Sequence, residues 1–307
     1  MIKSFISFDI ESLPGRADSK HVDRLIWGRF DGGEYGIARI CDILQQHRLQ
    51  ASFMLDLAGC ELYGDAAMQA VGEYVLSRGH ELHVHLHSEW LVRRWGMELG
   101  LSGPVGMDRL DAEQNQRFMD YAANKHRKLF GLEPCAFRAG GFLFNEHTVQ
   151  AAEQAGFSLL SNFNAERHGN QWQVTGALAH NDYFYWSDRL LELPVDYSPE
   201  PLTSDWNIYE GWFDRARFRK QYPTFNLTLH SWSLLERQGE HFVRFAPEHE
   251  ARLHKICEHL TSHTTQTTYG QFLQQQDTSQ PAVSRTSTVE SDSTSQSMPW
   301  WRRLLGG

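Results

Sequence analysis

Five short stretches of this chain end an apolar run with a residue that hydrolytic chemistry uses. They read Ser7-Phe8-Asp9-Ile10-Glu11, His83-Val84-His85-Leu86-His87, Phe137-Arg138-Ala139-Gly140-Gly141, Leu191-Glu192-Leu193-Pro194-Val195-Asp196 and Leu227-Thr228-Leu229-His230. Asp9 and Glu11 stand two apart, so on a strand both point to one face. Burying two carboxylates together is costly unless a cation or proton joins them. A divalent ion beside Glu11 would relieve that cost and leave Asp9 as a base. His83, His85 and His87 also share one face, and Glu89 follows them. A His-x-His on one strand can chelate a single ion, and so can His85 with Glu89 if the chain turns after Leu86. Either set leaves open positions, as a catalytic metal requires. Arg138 could hold a carboxylate in a bidentate pair and lower its pKa. His230 can serve as a general acid, with Asp196 and Glu192 the nearest candidates to orient it. Such a set would hydrolyse an amide or ester: Asp9 takes a proton from the attacking water, and His230 protonates the leaving amine. Imidazole and carboxylate suit zinc first, with cobalt, nickel or manganese as alternatives.

Residues this far apart meet only if strand ends converge, as they do on one face of a parallel α/β barrel. Ile2 to Ile10 has the apolar, β-branched character of a buried strand. Ala51–Leu55, Glu81–His87, Cys135–Arg138, Phe157–Leu160, Leu190–Val195 and Thr224–His230 are further strands. Helical spacing fills the gaps: Ile37–Leu44, Asp65–Leu76 closed by Gly79, Asp111–Phe130 closed by Gly131, Asn145–Ala155 and Pro247–Leu260. Residues 88–110 read as a long connection without obvious structure, the kind that often forms a lid. An aromatic-rich stretch from Trp172 to Trp186 breaks the alternation. The expected fold is α/β, a distorted (β/α) barrel of about seven parallel strands over residues 1–275. A Ser/Thr/Gln-rich tail over 276–307 has too little apolar content to fold.

Composition narrows the function. A chain of 307 residues with 41% hydrophobic content can bury a large core, so a globular class is expected. A formal charge of -9 argues against a nucleic-acid partner. Cys41, Cys60, Cys135 and Cys257 are scattered, which suits buried thiols in a reducing compartment. No apolar run has the length of a signal peptide or a membrane span, so a cytoplasmic enzyme is expected.

The order of the motifs resembles the polysaccharide deacetylase family, the NodB-type domain of carbohydrate esterase family four. That family has a distorted barrel and removes acyl groups from glycans. The resemblance implies a base at Asp9 and a metal ligand at Glu11 in Phe8-Asp9-Ile10-Glu11, where the common version has adjacent aspartates. Gly79-His80-Glu81 then places the first histidine ligand at His85. The second, four residues on, falls on Glu89, a departure that leaves His87 or a shifted His83–His87 pair as competitors. Phe137-Arg138-Ala139-Gly140-Gly141 lacks the usual proline but puts Arg138 on the base, and Leu229-His230 matches the last motif. The Asp–Trp motif has no clean match.

The resemblance implies a metal-dependent hydrolase that removes an N-acyl group from an amino sugar during cell-surface polysaccharide assembly. A related deformylase or non-sugar amidase would use the same motifs. The altered second motif also suits an inactive glycan-binding domain. Trp90, Trp95, Trp232 and Gly140 adjoin the site segments and are candidates to line a sugar-binding surface. Ordinary core packing is the alternative for each tryptophan. The chain's last stretch, Trp300-Trp301-Arg302-Arg303-Leu304-Leu305, suits weak contact with a membrane surface or docking to a partner.

Overall fold

The computed structural model describes residues 1–17, 20–168, 181–202 and 205–276. Trp172 and the expected tail with its Trp/Arg/Leu end lie outside the described residues. Seven parallel strands build the domain: β1 (Ile2–Ile10), β2 (Ser52–Asp56), β3 (Glu81–Leu86), β4 (Ala136–Ala139), β5 (Leu159–Leu160), β6 (Leu191–Glu192) and β7 (Thr224–His230). Their spatial order is β7-β1-β2-β3-β4-β5-β6. Phe184–Tyr185 adds an antiparallel edge to β6, and Thr264–Gln266 pairs with the start of β1. Past β6 the chain curls back to β7. Thr228 N–H donates to the Tyr197 carbonyl at 2.9 Å, and Asp196 N–H donates to the Asn226 carbonyl at 3.0 Å. The sheet thus closes into the distorted barrel that the strand pattern predicts.

Side-chain alternation sorts each strand into an outer and an inner face. Ile6, Phe8, Ile10, Phe53, Leu55, Val84, Phe137, Leu227 and Leu229 face outward and merge with the helix faces in one core. The inner face is layered. Phe5, Met54, Ala136, Leu159 and Leu191 form an apolar floor, sealed by Tyr269 and Phe272 of the helix Tyr269–Gln275. Above it lies a buried polar layer centred on Arg138, which is 0% exposed. Its guanidinium donates to the Ser161 carbonyl, Ser7 Oγ, Ser161 Oγ, Tyr269 Oη and Asp9 Oδ1. A charge taken that far from water is tolerable only with such complete pairing.

Residues 88–110 depart from the expected open connection. Ser88–Trp95 is a helix and Met107–Arg109 a 3-10 turn. Trp90, Leu91 and Val92 are buried there, and that burial stabilises a helix the sequence pattern alone does not announce. No helix among the described residues is long and apolar enough to cross a membrane.

Candidate metal centre and active site

The top of the barrel gathers Asp9 and Glu11 from the end of β1, His85 and His87 from β3, and His230 from β7. The register places Asp9 beside His230 and Asp56 beside His85. Glu11 is the focus. His85 Nε2 lies 3.3 Å from its Oε2, His87 Nε2 closes on the same oxygen, and His230 Nε2 lies 3.4 Å from Oε1. One ligand atom each from Glu11, His85 and His87 falls within 4.8 Å of the others, and all three residues are buried.

The far side of each imidazole fixes what the near side offers. His85 Nδ1 is 2.9 Å from the Arg138 carbonyl, which can only accept, so Nδ1 carries a hydrogen and the neutral ring keeps its lone pair on Nε2. His87 Nδ1 pairs with Glu89 Oε1 at 2.8 Å. This arrangement, a ring anchored by a carbonyl or carboxylate behind it, orients histidines that bind metal. His87 Nε2 is buried with no hydrogen-bond partner of acceptable geometry. The donor set fits a divalent ion such as zinc. Glu89 is therefore not placed as the ligand that the four-residue spacing suggests; it stands behind His87, and the short His-x-His pair converges instead. Gly140 has a steric reason: a Cβ there would sit 2.6 Å from His87 Nδ1.

The electrostatics agree with a site that favours positive charge beside Glu11. Burial raises Glu11, but the charge of His87 and the close approach of His85 and His87 outweigh it and hold Glu11 well below the usual carboxylate range. Burial depresses His87, yet Glu11 and Glu89 outweigh it and lift His87 well above an ordinary imidazole. His85 is raised in the same way, against burial, by Asp9 and Glu11.

Asp9 gives one carboxylate oxygen to Arg138 at 2.6 Å and lines the pocket. His230 lies parallel to Trp232, centroids 4.9 Å apart at 7°, and its Nδ1 has no hydrogen-bond partner. The expected orienting groups are elsewhere. Asp196 pairs with Lys220 at 2.7 Å, and Glu192 accepts the backbone N–H groups of Asn162 and Phe163. By alternation Glu192 points away from the inner face, between Leu191 and Leu193 of the apolar floor.

The pocket above these residues has a volume of about 460 Å³. Trp90 lines it; Trp95 and Trp232 do not. Trp95 packs on Phe118 and Tyr121 at 5.8 and 5.2 Å, on the outer side of the barrel, so it belongs to the core. Trp232 is 1% exposed and supports the His230 ring. His83 points inward one step lower, between Glu81 at 3.0 Å and Cys135 Sγ at 3.5 Å, away from the ligand cluster.

Sequence reasoning missed Asp56, whose Oδ1 accepts the backbone N–H groups of His87 and Ala58, each at 3.1 Å. It fixes the turn that delivers His87, and burial raises its pKa against the opposing charges of His87 and His85. The signal was present, since Asp56 ends β2 as Asp9 nearly ends β1. Arg16, Arg167, Glu200, Arg237 and Glu240 also line the pocket, from turns, a single helical turn and a short hairpin strand too brief to give a periodic signal.

The chain matches no protein-family model and no curated protein in sequence. It shares its fold with a protein from Mycobacterium smegmatis assigned as a polysaccharide deacetylase: 14% identity, TM-score 0.55, covering 89% of this chain and 88% of that one. A 4-alpha-glucanotransferase from Thermococcus litoralis is similar over 89% of this chain and 38% of its own, at 10% identity and TM-score 0.54. The polysaccharide-deacetylase fold that the motif order implies is thus the observed one. Two different chemistries share it, so the argument for function rests on the site.

Proposed function

We propose that this chain is a divergent polysaccharide deacetylase: a metal-dependent hydrolase that removes an N-acyl group, acetyl in the simplest case, from an amino sugar of a cell-surface polysaccharide precursor. The observation that carries this reading is the convergence of Glu11, His85 and His87, with both rings anchored from behind. A bound zinc ion would supply Lewis acidity to the acyl carbonyl and lower the pKa of a neighbouring water. The chain's own residues do the rest. Asp9, paired with Arg138, takes the proton of the attacking water. Arg138 also fixes which oxygen of Asp9 faces the pocket, because Nη1 holds the other. His230 is positioned across Glu11 from His85 to give a proton to the leaving nitrogen. Trp90 walls the pocket beside Glu89 and excludes water from one side. Asp56 and Gly140 keep His87 in place. An acetate-release assay with the zinc-loaded chain and a panel of N-acetylhexosamines tests the reading. Release by the wild type and its loss in Asp9→Asn with metal retained are expected. A metal-loaded protein that releases acyl groups from no amino sugar would remove the proposal.

A further inference from the structure

The pocket that holds the metal cluster is also lined by two residues with unsatisfied polar atoms that nothing in hydrolysis explains. Arg16 sits in the 3-10 turn Pro14–Arg16 just after β1, is 5% exposed and lies 6.0 Å from the Phe242 ring. Its Nη2 is 3.3 Å from Glu200 Oε1, and its Nη1 is 3.9 Å from Glu240 Oε2. Arg237 Nη1 approaches Glu200 Oε1 at 3.6 Å. None of these ion pairs is aligned as a hydrogen bond: Arg16 Nη1 and Glu200 Oε1 are both buried without a hydrogen-bond partner. Each such orphan costs about 1–3 kcal/mol. A donor and an acceptor therefore stand next to each other in the wall of the catalytic pocket.

The charges there cancel. Arg16 and Arg237 face Glu200 and Glu240, so an anionic ligand would meet two carboxylates and a cationic one two guanidiniums. A neutral group that both accepts and donates meets neither penalty, and a hydroxyl is that group. We propose that Arg16 and Glu200 form a hydroxyl-recognition subsite that selects a sugar ring over a bare amide. Arg16 Nη1 donates to a ring hydroxyl, which donates in turn to Glu200 Oε1 after a small rotation of the Glu200 side chain. The subsite rests on the proposed function for its substrate class but makes its own prediction about binding.

The test uses the full zinc-loaded chain, titrated by NMR with N-acetylglucosamine, N-acetylgalactosamine, N-acetylmannosamine and N-methylacetamide. At least one sugar should bind roughly tenfold more tightly than N-methylacetamide, the worth of about one satisfied pair. Arg16→Met and Glu200→Met should abolish that preference and leave N-methylacetamide binding and metal content unchanged. Arg16→Lys keeps the charge toward both glutamates yet removes Nη1, so it should lose the preference even if Arg16→Met does not fold. No preference in the wild type, or a preference that survives Arg16→Lys and Glu200→Met, overturns the subsite. Acyl release without sugar preference leaves the hydrolase and removes the subsite; a preference that depends on Arg16 without acyl release does the reverse.

Discussion

Glu81–His83 and Glu11–His87 are both carboxylate–imidazole pairs on the inner face of one barrel, the first partly and the second fully buried. The lower pair is complete. Glu81 accepts from Thr268 Oγ1 at 2.6 Å, from Gly270 N–H at 2.9 Å and from Ser52 Oγ at 3.2 Å, besides His83. The second nitrogen of His83 meets Cys135. The upper pair is crowded with one kind of partner: His85, His87 and His230 all converge on Glu11, while the far nitrogens of His85 and His87 are already held. Imidazoles that converge on one carboxylate, two of them held from behind, have the arrangement a metal site needs. A carboxylate whose oxygens are filled by hydroxyls and backbone N–H groups describes a structural pin. Residue type is the same in both places and Glu81 is the more exposed carboxylate; the inventory of partners separates the two pairs.

The strongest break of this comparison comes from the upper layer. Asp9→Asn should keep metal, because the ligands remain, and lose turnover by roughly 10²–10⁴-fold, as expected for a general base. His230→Ala should lose a similar factor. Acetate release measured alongside metal content decides; near-normal rates in both variants would make the upper layer structural too.

Arg138 joins the two layers. Arg138→Ala should destabilise the fold by about 3–5 kcal/mol, because Asp9 and the polar layer lose their central donor. Urea denaturation reads this directly. A loss under about 1 kcal/mol would mean that the polar layer repairs itself with water.

The lower pair should show itself in stability against pH. Burial depresses His83, but Cys135 and Glu81 outweigh it and lift His83 to about 9 from 6.5. A raised imidazole stabilises in full below its unfolded value and loses that contribution as pH rises through the folded one. Between pH 6.5 and 9 the wild type should therefore lose stability, by up to roughly 3 kcal/mol. His83→Gln should flatten that slope while keeping activity. An unchanged slope in the variant would assign it to other groups.

The smallest effects separate the tryptophans. Trp90→Ala should raise KM several-fold with the melting temperature nearly kept. Trp95→Ala should leave KM alone and cost about 2–3 kcal/mol of stability, as a half-buried aromatic does. The opposite pattern would exchange their roles.

How much of this the sequence carried depends on the type of signal. Strand ends were legible because a polar residue closing an apolar run, as at Asp9, Arg138 and His230, stands out against its neighbours. The seven-strand barrel followed from the same runs and the helical spacing between them. The choice among His83, His87 and Glu89 was not legible, since all sit within reach of His85 in the sequence and only three-dimensional partners rank them. Glu192 and Asp196 looked like site residues for the same reason Asp9 did, but Glu192 alternates to the outer face and accepts backbone N–H groups, and Asp196 is taken up by Lys220. Arg16 and Glu200 gave no signal because they lie in turns, where position follows from the fold and not from a period.

The central claim is that Glu11, His85 and His87 hold one divalent ion while His83 does not. Zinc titration of chelator-stripped protein, run side by side on the wild type, His87→Gln and His83→Gln, tests it most directly. One zinc per chain in the wild type and in His83→Gln, with binding lost in His87→Gln, is the predicted result. A wild type that takes up no zinc, or a His83→Gln variant that loses it as fully as His87→Gln, would contradict the account.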